Sequence, residues 1–254
     1  LIGVGNSDAS NGSNILIGNG HTITGAGTAS IIIGSSIITS STVDGSVCVG
    51  GTTIAATAVA VGRSSRASVV NSTAIGNGAY VGTNSTQGTA IGSPAYVENS
   101  VTNSVSVGYN ADANANGSTI VGHSASTATG STQSTIVGQA ATSGTSATSA
   151  TVLGANASVA ANVTNGTAVG KGAAVSANSG VAVGESANVA ATHTNGIAIG
   201  KGATTTAIGD GQWGNATNPT GLTGYGDLSW PGGYTHEVGL WQQDNAAATQ
   251  TAVV

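Results

Sequence analysis

The chain has no Phe and no Met, and its three Trp all fall after residue 212. A thick globular interior is filled with Leu, Phe and Met, so their scarcity leaves room only for a thin core of Val, Ile and Ala. Lys and Arg together number four, too few to bind nucleic acid by neutralising phosphates. Charged residues make up 5% and the net charge is −5. Disorder by self-repulsion needs far more charge and fewer β-branched residues than this chain has. Cys48 is the one cysteine, so no disulfide forms within the chain, which leaves the redox compartment open. No apolar run approaches the ~18 residues that a membrane-spanning helix requires. The numbering starts at Leu1 with neither an initiator Met nor a signal peptide. The expectation is therefore a processed product or a fragment, with any anchor outside it.

Chemistry is also scarce. His21, His123, His193 and His236 are scattered without ligand spacing, and Lys171 and Lys201 sit in Gly-Lys-Gly turns that no Walker pattern follows. Nine acidic residues out of phase argue against a calcium-binding roll, and no nucleophile-elbow context is present. Asn-x-Ser/Thr sequons such as those at Asn71, Asn84, Asn156 and Asn162 are expected by chance in this composition. The sequence thus predicts no enzyme, no cofactor and no metal site.

What the chain does have is glycine, 41 of them, and many keep time. A motif of the form Val/Ile/Thr-x-Val/Ile-Gly, with Leu153 once in its third place, ends at Gly18, Gly34, Gly50, Gly62, Gly76, Gly92, Gly108, Gly122, Gly138, Gly154, Gly170, Gly184 and Gly200. Successive glycines lie 12, 14 or 16 residues apart. A short fixed period is the mark of stacked repeats. Even spacing has a reason: an insertion of two residues keeps every side chain on its own face of a strand, whereas an odd one inverts it.

The repeat from Gly154 to Gly170 contains two short alternating pieces, Ala157-x-Val159 and Thr167-x-Val169. Turn signals at Gly154 to Asn156 and at Asn165-Gly166 separate them. Each repeat therefore reads as strand, turn, strand, turn. The fold class this predicts is all-β, a parallel β-roll or solenoid of about 13 coils, rising ~4.8 Å per coil to a rod of roughly 58 Å. The repeats are assigned to residues 1–209 and a non-repetitive segment to 210–254.

Within the motif strand, the outer two residues face one way and the middle one the other. Ile32, Cys48, Ala74, Ala90, Ile120, Ile136, Val152, Ala168, Ala182 and Ala198 hold the middle place, which is almost never polar. A strand apolar on both faces is buried on both. One face lines the roll; the middle column is the candidate for the second face, covered by another copy of the chain. The outer column, which includes Thr73, Thr89, Thr119, Thr135, Thr151 and Thr167 among Val and Ile, is expected to point inward. A lone coil cannot offset its own ordering entropy, so an obligate homo-oligomer is expected.

These repeats resemble the head of YadA-type trimeric autotransporter adhesins. The resemblance is carried by Ser72-Thr-Ala-Ile-Gly76, Gly88-Thr-Ala-Ile-Gly92, Ser104-Val-Ser-Val-Gly108, Gly166-Thr-Ala-Val-Gly170, Gly180-Val-Ala-Val-Gly184 and Gly196-Ile-Ala-Ile-Gly200, and it covers residues 15 to 209. It implies three left-handed rolls packed around a threefold axis and displayed outside a bacterial outer membrane, with adhesion to host matrix proteins, cells or other surfaces. The chain shows no neck, heptad stalk or membrane barrel. The same repeats occur in phage fibre heads, so a virion fibre that recognises a receptor stands as an alternative. A third reading, binding of ice or service as a structural fibre, follows from the regular Thr and Ser.

The period breaks after Gly209. The last segment holds Trp213, Tyr225, Trp230, Tyr234 and Trp241. It reads as a cap or stalk connector that protects the open end of the stack, or as an aromatic ligand-binding tip.

Overall fold

In a computed structural model, the fold is described for residues 1–10, 12–23, 29–35, 38–39, 45–51, 53–205, 211–213, 227–229 and 235–237. The described residues contain strands and turns and no α-helix, and they wind a parallel solenoid of about 11 coils. The strand–turn–strand–turn repeat expected from the sequence is what forms.

Two walls run the length of the stack. The first is a 14-stranded sheet whose strands follow chain order, from Ile15–Asn19 to Gly211–Trp213. Setting the last strand aside, all 13 remaining strands are the motif strands, one per repeating glycine. The second wall is a 10-stranded sheet from Thr53–Ile54 to Asn188–Val189, and a 3-stranded sheet covers the same side of the first coils. Every pairing within the three sheets is parallel, and register follows the repeat: Thr73, Ala74 and Ile75 stand opposite Thr89, Ala90 and Ile91. Asp227–Ser229 and Thr235–Glu237 form a separate antiparallel pair.

The motif glycines explain why the coils stack so closely. Gly76, Gly92, Gly108, Gly122, Gly138, Gly154, Gly170 and Gly184 all have φ between +131° and +148°. A Cβ at any of them would lie 2.1–2.4 Å from the carbonyl oxygen of the next motif glycine. Glycine is therefore required for the chain to turn this corner against its neighbour. The second corner is looser: its left-handed positions hold Gln87, Asn103, Gly117, Gln133, Ser149, Asn165, Ser179 and Asn195. Asn and Ser tolerate that conformation better than most residues, and inter-coil backbone bonds such as Gln133 N–H to Asn116 O (2.9 Å) hold it.

The interior corrects the expected facing. Leu16, Ile32, Cys48, Ala60, Ala74, Ala90, Ser106, Ile120, Ile136, Val152, Ala168, Ala182 and Ala198 are all fully buried inside a single chain. The middle column is therefore the lining of the roll and does not wait for a second copy. The outer column points to solvent: Thr119 and Thr135 are exposed, and Thr73, Thr89, Thr151 and Thr167 are partly so. The physical reason lies in the opposite wall. There the flanking pairs Ala79 and Val81, Ala95 and Val97, or Ala157 and Val159 are the buried ones. Two inward residues from that wall leave width for one from the first.

Corner hydroxyls complete the lining. Ser104 Oγ donates to Ala115 O (3.0 Å) and Ser118 Oγ to Ser131 O (3.2 Å), so serines at the strand entrances satisfy carbonyls that no strand reaches.

Candidate functional site

Among the described residues, the outward face of the first wall is unusual in its apolar content. In each motif strand the first and third residues point outward. They are Val, Ile, Leu or Thr at every one of the 13 strands. Ile75, Ile91, Val121, Val137, Leu153 and Ile197 stand 36 or 37% exposed, and Ile15 stands 49% exposed. Parallel register puts these side chains in two straight columns, one per outer position. Taking ~10 Å per three-residue strand and ~4.8 Å per coil, the stripe covers roughly 600 Å². That is at the upper end of what a monomer leaves in water. No charged residue interrupts it.

The second wall is different. Its outward residues are the middle ones of each strand, and most are small and polar: Ser126, Thr142, Ser158, Ala174 and Asn188. At four neighbouring coils the same column reads Arg66, Tyr80, Tyr96 and Asp112. The Arg66 guanidinium lies 5.5 Å from the centre of the Tyr80 ring. The Tyr80 and Tyr96 rings are 6.4 Å apart and tilted by 59°. Tyr80 Oη donates to Asn99 Oδ1 at 2.9 Å. Asp112 Oδ2 accepts from Asn114 Nδ2 at 2.8 Å, while its Oδ1 is buried without a hydrogen-bond partner. Burial pushes the Asp112 carboxyl above its ordinary range, and burial and then the Asp112 charge do the same to Glu98.

The sequence reading passed over this cluster. The signal was present: Arg66, Tyr80, Tyr96 and Asp112 each follow a motif glycine by four residues (Gly62, Gly76, Gly92, Gly108). Equal offset from the repeat is what places four sequence-distant residues in one column.

The remaining candidates fall into place individually. Cys48 lines the roll, where burial pushes its thiol up to about 11. His193 is buried, with Nδ1 2.6 Å from Thr205 Oγ1. His123 stacks on Tyr109 with ring centres 5.2 Å apart. His21 Nε2 lies 3.1 Å from Ile17 O. Lys201 pairs with Glu185 at 3.3 Å in a solvated turn, a contact of small energetic weight. Among the described residues no group of three metal-ligating side chains comes together, and no helix is long and apolar enough to cross a membrane.

Of the proposed tip residues, Trp213 lies in the strand Gly211–Trp213, which pairs in parallel with Ile197–Ile199. The sheet thus gains a strand past the point where the period breaks. Tyr225, Trp230, Tyr234 and Trp241 lie outside the described residues. No protein-family model matches the chain, and a search of curated proteins finds no relative. The class that the fold itself defines is the parallel β-solenoid, with two long sheet walls among the described residues.

Proposed function

We propose that the chain is the head of a cell-surface adhesin that works as a homotrimer, its first walls facing one another around a common axis. The observation that carries this reading is the outward stripe of Val, Ile, Leu and Thr on the first wall. At ~25 cal/mol per Å², covering roughly 600 Å² is worth about 15 kcal/mol before costs. Association costs about 4–15 kcal/mol, so covering the stripe is of the size needed to offset it. The role first given to the middle column passes to this outer one. A trimer repeats each weak surface contact three times, which gives useful avidity from modest affinity. The ligand class is a matrix protein, a host cell or another surface, and the place is extracellular, with anchoring supplied by another part of the protein. A receptor-recognising phage fibre would use the same rod and the same trimer.

A second reading draws support from the corrected facing. Thr73, Thr89, Thr119, Thr135, Thr151 and Thr167 now stand on the outside of the sheet in one column, with Val105 between Thr89 and Thr119. A regular ladder of methyl and hydroxyl groups suits ordered water, so binding of ice requires this wall to be bare.

The mass of the full chain in solution separates the two. Three chains, with Val137→Lys lowering the mass while the β-sheet signal in circular dichroism persists, supports the trimeric head. A stable single chain refutes it and favours the bare wall, which ice-growth inhibition would then test, with loss of that activity expected in Thr135→Leu.

A further inference from the structure

The two walls pose separate questions, and the second wall carries its own answer. Both arginines of the chain, Arg63 and Arg66, are exposed on the coil that follows Gly62. Glu98 and Asp112 lie two and three coils further on, and Tyr80 and Tyr96 fill the interval. Among the described residues the ion pair present is Lys201 with Glu185. Among the described residues, neither arginine and neither of these carboxylates has an ion-pair partner. Arg66 rests on a ring, and Asp112 keeps a buried oxygen without a donor.

The order along the column is positive, aromatic, aromatic, negative, each one coil apart. Such a row is complementary to itself when reversed. We propose that this patch docks onto the same patch of a second copy of the chain, antiparallel, about a two-fold axis between the Tyr80 and Tyr96 coils. Arg66 then faces Asp112 of the second copy, and Tyr80 faces Tyr96. The match needs no adjustment of spacing, because both rows have the same coil rise. An isologous contact makes each pair twice, so two guanidinium–carboxylate pairs flank a four-ring centre. Tyr and Arg are among the residues that concentrate binding energy at interfaces, and a guanidinium pairs well with a carboxylate such as that of Asp112. The surrounding Ser, Thr and Ala are small enough to let two sheets approach. The proposal rests on the second wall alone and stands whether or not the first wall is covered. In a displayed head it would join rods that arrive from opposite directions, as on two facing surfaces.

The test is sedimentation of the full chain over a wide concentration range. It is run at about 0.01 M and about 1 M ionic strength, where the screening length falls from about 30 Å to about 3 Å. The expected result is a species at low salt with at least twice the mass of the high-salt species, since a trimer would carry three such patches. The high-salt mass itself reports on the first wall, being three chains if that wall trimerises and one if it does not. Arg66→Glu or Asp112→Lys alone should raise the concentration needed for doubling by about tenfold or more, because each sets like charges opposite one another. An equimolar mixture of the two variants should restore doubling, since every cross pair is then opposite in sign. Circular dichroism and the high-salt mass check that each variant folds. If Asp112→Lys does not, Asp112→Asn takes its place, and its mixture with Arg66→Glu should double at a lower concentration than either variant alone, because one Arg66–Asp112 pair survives. A mass that ignores salt, or a mixture that fails to restore what the single variants lose, overturns the proposal. So does binding of a basic peptide at Asp112 without doubling, which would assign the patch to a cationic partner of another kind.

Discussion

Alanine at Gly138 and alanine at Gly117 make the same chemical change, and the fold predicts very different outcomes. Gly138 has φ +144°, and a Cβ there would lie 2.3 Å from Gly154 O and 2.5 Å from Gly154 C. Those are backbone atoms of the next coil, so no rotamer relieves the clash. Relief requires the coils to part, which weakens the bonds from Gly154 N to Val137 O (2.8 Å) and from Asn156 N to Gln139 O (2.8 Å). Forcing an L-residue into that backbone region costs about 1–3 kcal/mol, and each lost bond about 1 kcal/mol more. The expected cost is about 3–5 kcal/mol.

Gly117 has φ +66°, and the nearest atom to its added Cβ would be Gln133 Cγ at 3.7 Å. Its column neighbours Asn103 and Gln133 adopt the same conformation with side chains, at φ 56° and 59°. The left-handed penalty of about 1–2 kcal/mol is partly offset because alanine also restricts the unfolded chain, by about 0.4–1 kcal/mol. The net cost is about 1 kcal/mol or less. Urea unfolding followed by far-UV circular dichroism, at one fixed chain concentration, measures the difference. A broadened transition in Gly138→Ala is also expected, because a weak junction in the middle of a stack uncouples its halves. Equal midpoint shifts for the two variants would refute the reasoning that the motif glycines are set by inter-coil contact.

Ile136→Ala empties part of a fully buried lining position and should cost about 2–5 kcal/mol in the same unfolding assay. The Cys48 thiol, buried and pushed up to about 11, should resist a thiol reagent at neutral pH in the native chain and react at once in denaturant. Asp112 and Glu98 both have folded values raised above their unfolded ones, so they favour the folded state while protonated. That contribution is full below the ordinary carboxylate range and is lost as pH rises through the raised values; thermal melts of the wild type should fall along that limb, and those of Asp112→Asn should fall less.

The period, the strand–turn–strand–turn repeat and the parallel stack were all legible because they follow from spacing alone. Glycines at even intervals fix both the coil and the register, and Thr73 does stand opposite Thr89. The inside and the outside were not legible from the motif strand. Its middle residue and its outer residues are both apolar, so alternation does not rank them. Thr in the outer column offered a clue, since a hydroxyl on a buried wall needs an acceptor. The aromatic and charged column was missed for another reason. Its four members are spread across 46 residues of sequence, from Arg66 to Asp112, and meet only when coils are laid in register.

Sizes across the interior show what would have settled the facing. Where the first wall contributes Ala74, Ala90, Ala168 or Ala182, the second wall of that coil brings Val81, Val97, Val175 or Val189. Where it contributes Ile120 or Ile136, the partner position holds Thr127 or Ser143, smaller and buried. A closed coil has a fixed cross-section, so volume added on one wall must be removed from the other. Val152 with Val159, Ser106 with Ala113 and Ala60 with Ala67 depart from this trade. The outer residues of the motif strand show no such compensation with any position of their own coil. They are bulky at every coil, from Ile75 to Ile197, whatever the second wall carries. A column whose size is independent of its own chain's interior answers to something outside that interior, and here that is the surface on which the proposed assembly rests.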